Sequence, residues 1–165
     1  MVGNDYPRGG LLLKSSACDV ELNEASATNA TSWFRSKEES QEMLALVIDD
    51  SKTTRMILRR MLKELGFEVE EAENGREALD LLESGFAPNI VLVDWNMPVM
   101  DGYQFVKAVR SKPKFNKLVL MMVTTETELD RLTAALEAGI DEYVMKPFTK
   151  EVIEEKLEIL GFARS

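Results

Sequence analysis

Apolar and polar positions follow two different periods along this chain, and these periods predict strands and helices from residue 44 onward. Short apolar or alternating runs are typical of strands, whereas apolar residues that recur every three or four positions mark one face of a helix. The predicted strands are Leu44–Ile48, Phe67–Glu71, Ile90–Val93, Leu118–Val123 and Glu142–Met145. The predicted helices cover about residues 51–65, begin again at residue 75, cover 102–109 and 126–137, and run from Thr149 to about Leu160.

Five strands that alternate with five helices predict an α/β fold with one parallel sheet and helices on both of its faces. Leu118–Val123 is apolar throughout, so we expect it to be a central strand. Phe67–Glu71 alternates apolar and acidic residues, as a half-exposed strand does. Ser51 is predicted to cap the first helix and Gly66 to end it.

The chain divides into two regions of different composition. Residues 1–42 are rich in Ser, Thr, Ala, Asn and Gly without a sustained period, so we predict a disordered or loosely structured extension. Residues 43–165 are predicted to form the folded domain. Met43 directly precedes the first strand and is an alternative natural start.

Composition excludes several classes of function. The net charge is −9, which gives no electrostatic support for binding nucleic acid. No apolar run approaches the roughly 20 residues that span a bilayer, so we expect a cytoplasmic protein without membrane insertion. The chain has no histidine and a single cysteine, Cys18, which excludes an internal disulfide, histidine-ligated zinc and a nucleophile activated by histidine.

Carboxylates follow two of the buried strands at the point where each strand ends. Asp49 and Asp50 come after the first strand, and Asp94 comes after the third. Ligand sites of open α/β sheets lie outside the carboxyl ends of the strands. Three carboxylates held together repel each other unless a cation or a proton intervenes, and Mg²⁺ prefers oxygen ligands. The sequence therefore predicts a Mg²⁺ site made of Asp49, Asp50 and Asp94.

Two further strand ends add groups that suit phosphoryl chemistry. Thr124 follows the fourth strand and Lys146 follows the fifth, so both are predicted at the same edge as the carboxylates. The lysine and the hydroxyl can each bind a phosphoryl oxygen, and phosphoryl transfer depends mainly on positioning and charge neutralisation. A carboxylate has to be the nucleophile, because no activated Ser, Cys or His is available. We expect Trp95, next to Asp94, to be a partly exposed aromatic.

From Leu44 to Leu160 the chain resembles the receiver domain of two-component response regulators, and within that family the single-domain chemotaxis regulators of the CheY type. The resemblance rests on several motifs at the family's spacing. They are Val47-Ile48-Asp49-Asp50-Ser51, Leu62-Lys63-Glu64-Leu65-Gly66-Phe67, Asp94-Trp95-Asn96-Met97-Pro98, Met100-Asp101-Gly102, Thr124, Tyr143 and Lys146-Pro147-Phe148-Thr149. It implies a flavodoxin-like fold with strand order 2-1-3-4-5.

The resemblance also implies roles for individual residues. Asp94 matches the phospho-acceptor, while Asp49, Asp50 and the backbone carbonyl of Asn96 match metal ligands. Thr124 and Lys146 match the groups that bind the phosphoryl oxygens, and the Lys146–Pro147 peptide bond is expected to be cis.

The resemblance further implies roles in a conformational switch, in dephosphorylation and in partner binding. Tyr143 matches the aromatic that turns inward when the hydroxyl of Thr124 moves. Asn96 and Glu126 match residues that flank the path of an attacking water. Thr125, beside the acceptor, stands where many receivers have Ala or Gly. The partner surface is expected on the fourth helix, fifth strand and fifth helix, and its candidate residues are Leu132, Tyr143 and Lys156.

We therefore expect a monomeric, stand-alone receiver that is phosphorylated by a histidine kinase and binds a flagellar motor switch protein or another protein target. It would be an enzyme only toward its own aspartyl phosphate. The first alternative is a phosphorelay receiver outside chemotaxis. A Mg²⁺-dependent phosphatase with an aspartyl-phosphate intermediate is disfavoured, because Asn96 stands where such enzymes usually carry an acidic residue. A pseudo-receiver is disfavoured by the complete set of acidic, threonine and lysine residues.

Overall fold

The computed structural model describes residues 42–162, which form five strands and five α-helices in alternation. The strands are β1 (Met43–Ile48), β2 (Phe67–Ala72), β3 (Ile90–Val93), β4 (Val119–Thr124) and β5 (Glu142–Met145). The helices are α1 (Lys52–Glu64), α2 (Gly75–Glu83), α3 (Gly102–Arg110), α4 (Leu129–Ala138) and α5 (Lys150–Ile159), with a short 3-10 turn at Pro113–Phe115. The predicted extension of residues 1–42 lies outside the described residues except for Glu42.

The strands form one parallel sheet in the order β2-β1-β3-β4-β5, which confirms the predicted fold class and strand order. In the register of the sheet Ile48 lies beside Val93, and Thr124 lies beside Met145. The carboxyl ends of β1, β3, β4 and β5 therefore meet at one edge of the sheet. This edge carries the residues that the sequence selects for chemistry.

Each face of the sheet has its own apolar core, because successive side chains of a strand point to opposite faces. Leu58 and Leu62 of α1 and Ile153 and Leu157 of α5 cover one face. Helices α2, α3 and α4 cover the other face. Their buried residues on that face are Ala78, Leu79, Leu82, Phe105, Val106, Val109 and Ala135. The predicted covering of both faces by helices is confirmed.

Local signals account for most of the helix ends. Ser51 accepts a hydrogen bond from the Thr54 N–H, and Asn74 caps α2 by accepting from two backbone N–H groups. Gly139 ends α4 with a φ of 107°, a left-handed conformation that glycine adopts without strain. Thr149 stands at the N-cap of α5, but its side chain makes no capping hydrogen bond there.

Helix α4 begins at Leu129, three residues later than the sequence predicts. The cause is the side chain of Glu126, which accepts hydrogen bonds from the N–H groups of Thr127 and Glu128 at 3.1 and 3.0 Å. A side chain that binds the N–H groups of the residues following it supports a turn in place of a helix. Residues 126–128 therefore form part of the β4–α4 loop, next to the sheet edge.

Candidate functional site

Three carboxylates meet at the carboxyl edge of the sheet, directly after β1 and β3. One carboxylate oxygen from each of Asp49, Asp50 and Asp94 lies within 4.8 Å of the others. Asp49 and Asp94 are buried, with 1% and 7% of their surfaces exposed, whereas Asp50 is exposed. The Asp94 N–H donates to the carbonyl of Ile48 at 2.9 Å, which fixes the two strand ends side by side. The structure therefore brings together the three acidic residues that the sequence predicts to be neighbours.

The ammonium group of Lys146 lies between the two buried carboxylates. Its Nζ is 2.6 Å from Asp49 Oδ2 and 3.3 Å from Asp94 Oδ1. The Lys146 N–H donates to the carbonyl of Thr124 at 2.8 Å, and the Lys146–Pro147 peptide bond is cis, as the resemblance implies. The side chain thus crosses from β5 to the acidic cluster and supplies a positive charge within it.

Burial raises the pKa of the Asp94 carboxyl above its usual range, and the neighbouring Asp49 carboxylate adds to the rise. The Lys146 ammonium and the backbone N–H of Trp95 act in the opposite direction without cancelling it. A buried carboxylate beside another carboxylate is unstable in its charged form unless a cation joins it. The cluster consequently has the electrostatic character of a cation site.

The side chain of Arg55, which the sequence did not predict to lie near the site, contacts the backbone of Asp49. Its guanidinium is buried and donates to the Asp49 carbonyl at 2.8 Å, while its other nitrogens pair with Glu71 and Glu73 at 3.3 and 2.8 Å. The Ser51 N–H also donates to Asp49 Oδ1 at 2.8 Å. The only sequence signal for Arg55 was its position on the face of α1 that carries Leu58 and Leu62.

Thr124 is fully buried at the end of β4, and its hydroxyl oxygen accepts a hydrogen bond from the Glu126 N–H at 3.1 Å. The carboxylate of Glu126 accepts from the Glu128 and Thr127 N–H groups and pairs with Arg131 at 2.6 Å. The Glu128 N–H, with help from Arg131, lowers the pKa of the Glu126 carboxyl. Thr125, between these residues, is exposed.

Trp95 is buried, and the expectation of a partly exposed aromatic is wrong. Only 9% of its surface is exposed, because its ring stacks on Tyr103 of α3 with centroids 5.6 Å apart and an interplanar angle of 16°. Asn96 is exposed in the loop after β3. A shallow cleft beside the acidic cluster is lined by Trp95, Asn96, Met97, Asp101 and Arg131.

The residues predicted to bind the protein partner lie on α4, β5 and α5. Tyr143 is half-buried in β5 and packs against the core beneath α3 and α4. The Lys156 ammonium lies 6.0 Å from the centre of the Tyr143 ring and 3.3 Å from Glu142 Oε2. Leu132 lies half-buried on α4. Tyr143 is connected to the acidic edge through β4, since it lies beside Met122 in the sheet.

The sequence pattern of the response regulator receiver domain matches residues 45–158, which include most of β1, the other four strands and the acidic edge. This chain belongs to the response regulator receiver family. Its relatives include chemotaxis protein CheY1 of Helicobacter pylori, which is 44% identical over 119 residues, 72% of this chain and 96% of the relative. The CheY homologue of Campylobacter jejuni is 46% identical over 121 residues, 72% of this chain and 93% of that protein.

Solved receiver structures agree with the fold. Chemotaxis protein CheY4 of Vibrio cholerae is 34% identical with a TM-score of 0.67, covering 72% of this chain and 98% of that one. The receiver domain of a signal-transduction histidine kinase from Syntrophus aciditrophicus is 29% identical with a TM-score of 0.67, covering 74% and 94%. A chemotaxis protein and a receiver domain of a histidine kinase thus share this fold. In residues 42–162 of the present receiver, no helix has the length and apolar character needed to cross a membrane.

Proposed function

We propose that this receiver is phosphorylated on Asp94 by a histidine kinase and signals in the cytoplasm, as a monomer, by binding a protein target according to its phosphorylation state. The observation that supports this proposal most strongly is the contact of Lys146 with Asp49 and Asp94 inside a cluster of three carboxylates. The position of the cluster at the carboxyl edge of the sheet is that of ligand sites in this fold class.

The donor set fits Mg²⁺, because it consists of carboxylate oxygens that carry more negative charge than one lysine offsets. Asp49, Asp50, Asp94 and the backbone carbonyl of Asn96 are the residues proposed to hold the ion. When bound, Mg²⁺ would supply the positive charge that relieves the repulsion among the carboxylates and offsets the charge of an incoming phosphoryl group.

The proposed reaction needs little beyond positioning by the residues of the chain. A carboxylate oxygen of Asp94 attacks the phosphorus of the kinase phosphohistidine, the P–N bond breaks, and the imidazole leaves with the bonding electron pair and takes up a proton. Lys146 then pairs with one phosphoryl oxygen, and the Thr124 hydroxyl donates to another. Water later attacks the acyl phosphate past Asn96 and Glu126, which returns Asp94 and inorganic phosphate.

Chemotaxis is the proposed context, because the relatives that are 44% and 46% identical over nearly their whole length are chemotaxis proteins. A flagellar motor switch protein is then the expected target, with Leu132, Tyr143 and Lys156 on the surface that binds it. The likeness to a receiver of a histidine kinase favours a second candidate, a phosphorelay receiver outside chemotaxis. Selective binding of a histidine phosphotransfer protein in place of the motor switch protein would identify the relay.

Labelling with acetyl phosphate tests the phospho-acceptor. In the presence of Mg²⁺, mass spectrometry is expected to find one phosphoryl adduct on the intact chain, and Asp94→Asn is expected to lack it, because an amide is a far poorer nucleophile. Asp80→Asn, at an exposed position of α2, is the control and is expected to keep the adduct. An undiminished adduct in Asp94→Asn would contradict the assignment.

A further inference from the structure

We infer that Arg131 is a positioning residue that holds the β4–α4 loop in its resting arrangement beside the acidic cluster. The inference rests on the proposed function, because it concerns how readily the site responds to a phosphoryl group. Arg131 lies in the first turn of α4, lines the shallow cleft beside the acidic cluster, and faces both Glu126 and Trp95. Its Nη1 is 2.6 Å from Glu126 Oε2, and its guanidinium carbon is 6.0 Å from the centre of the Trp95 ring.

On the loop side, Glu126 links Arg131 to the hydroxyl of Thr124. The Glu126 side chain is charged but only 11% exposed, because the N–H groups of Thr127 and Glu128 bind one of its oxygens and Arg131 binds the other. The Glu126 N–H in turn donates to Thr124 Oγ1 at 3.1 Å. A single residue therefore joins the guanidinium of α4 to the hydroxyl that is proposed to bind the phosphoryl group.

On the opposite side, Trp95 links Arg131 to the acceptor. Trp95 directly follows Asp94 in the loop after β3, and its indole is fixed by its stack on Tyr103. The ammonium of Lys107 lies 5.3 Å from the centre of the Tyr103 ring. Arg131 and Lys107 therefore flank the stacked rings of Trp95 and Tyr103, one cation on each ring, as the ring quadrupoles favour. Arg131 is thereby tied to the loop that carries Asp94.

These contacts oppose the movement that a phosphoryl group would cause. For Thr124 to turn its hydroxyl toward a phosphoryl oxygen on Asp94, the Glu126 N–H has to follow it or lose its hydrogen bond. Arg131 hinders the first course because it holds the Glu126 carboxylate against α4 and Trp95. Contacts that exist only in the resting arrangement shift the equilibrium away from the phosphorylated one. Loss of Arg131 should therefore increase the affinity of the site for a phosphoryl group or its mimic.

The test compares Arg131→Ala with Arg60→Ala in the full chain. Arg60 is the control because it also pairs with a glutamate, Glu64 at 3.2 Å on α1, although that ion pair is more exposed. The affinity for beryllofluoride, a phosphoryl mimic, is measured by calorimetry in Mg²⁺. Arg131→Ala is expected to bind the mimic about twofold to fivefold more tightly than wild type, a range set by the strength of a partly exposed ion pair. Arg60→Ala is expected to match wild type.

Two additional variants separate positioning from a general loss of stability. Arg131→Lys keeps the charge but not the planar fork, so its affinity should lie between those of wild type and Arg131→Ala. Glu126→Gln should also tighten binding, and the double variant should gain less than the sum of the two, because both changes break the Arg131–Glu126 pair. Trp95 emission should change in Arg131→Ala and stay unchanged in Arg60→Ala.

The outcomes distinguish this inference from the proposed function. If wild type binds beryllofluoride and Arg131→Ala binds it equally or more weakly, the positioning role of Arg131 is wrong and the function of Asp94 is untouched. Additive gains from Arg131→Ala and Glu126→Gln would also contradict it. If wild type fails to bind the mimic in Mg²⁺, the proposed function falls and the inference falls with it.

Discussion

At the scale of single residues, the burial of Asp94 has a consequence for stability that a substitution can measure. Its raised pKa means that the metal-free folded protein binds a proton at Asp94 more tightly than the unfolded chain does. Stability should therefore fall as the pH rises from the ordinary carboxyl pKa, about 3.9, to the higher folded value, and should stay lowered above it. Asp94→Asn removes this charge at nearly constant shape and should stabilise the metal-free protein at neutral pH.

Urea unfolding in EDTA at several pH values checks this expectation for wild type and Asp94→Asn. Asp80→Asn, on an exposed position of α2, is the control and should change little. The difference between Asp94→Asn and wild type should shrink as the pH falls through the titration of Asp94. A constant difference at every pH, or an Asp94→Asn protein that is less stable at neutral pH, would show that the burial of this charge is not costly.

Gly102, in the Met100-Asp101-Gly102 motif, lies too close to the backbone of Asp94 to carry a side chain. A Cβ at this position would lie 2.1 Å from the carbonyl oxygen of Asp94, far inside van der Waals contact. The Gly102 N–H donates to the Trp95 carbonyl at 2.9 Å, so the first turn of α3 packs directly against the backbone of the acceptor loop. Only a residue without a side chain permits this approach. The sequence identified the glycine through the family motif, and the structure supplies the reason for it.

At the scale of elements, the apolar runs predicted the sheet well because a buried parallel strand has to be apolar on both faces. The same logic placed Asp49, Asp94 and Lys146 at one edge, where the structure finds them in contact. The start of α4 and the burial of Trp95 were predicted wrongly. The start of α4 depends on hydrogen bonds of the Glu126 side chain, which apolar periodicity does not register, and the burial of Trp95 depends on its stack on Tyr103 of α3.

The side chain of Arg110 connects α3 to other parts of the fold. Its guanidinium donates to the carbonyls of Gly139, Phe115 and Leu118 at 2.8 to 3.1 Å and pairs with Asp141 at 2.9 Å. It therefore ties the end of α3 to the turns that precede β4 and β5. Without the guanidinium these partly buried carbonyls would lack a charged donor, and an unsatisfied buried carbonyl lowers the free energy of unfolding.

Arg110→Ala is accordingly expected to lower the free energy of unfolding by about 2 to 4 kcal/mol. Arg60→Ala, which removes an exposed ion pair, should change it by less than about 1 kcal/mol. Chemical denaturation gives both values, and hydrogen exchange should become faster at the end of α4. Equal effects of the two substitutions would mean that water replaces the contacts of Arg110 without cost.

At the scale of the whole molecule, the position of the site follows from the order of the strands. The chain moves outward from β1 to β2 on one side and from β3 to β4 and β5 on the other, so the strand order reverses between β1 and β3. The loops after β1 and β3 diverge there and leave a crevice at the carboxyl edge. Asp49 and Asp50 come from one of these loops and Asp94 from the other. The topology therefore places the carboxylates where two separate halves of the sheet meet.

The switch proposed for this receiver requires that a change at Thr124 reaches Tyr143 across β4 and β5. Thr124 is fully buried at the acidic edge, whereas Tyr143 is half-buried beside Lys156, and the two strands are direct neighbours. The phosphoryl group can act on Tyr143 only through contacts that differ between the two states, and the Thr124 hydroxyl is the contact proposed here. Thr124→Ala should bind beryllofluoride but fail to transmit the change, and Thr124→Ser, which keeps the hydroxyl, should transmit it.

Fluorine NMR of protein labelled with 3-fluorotyrosine measures this coupling directly. The chain has three tyrosines, so the Tyr143 signal can be assigned by its loss in Tyr143→Phe. Adding beryllofluoride and Mg²⁺ should shift that signal in wild type and in Thr124→Ser, and should leave it nearly unshifted in Thr124→Ala at saturation. The signal of Tyr103, whose ring stacks on Trp95 next to Asp94, serves as the internal control for occupancy and should respond in all three proteins. A full shift of Tyr143 in Thr124→Ala would show that the phosphoryl group reaches β5 by another route, such as the movement of Lys146, which follows β5 directly.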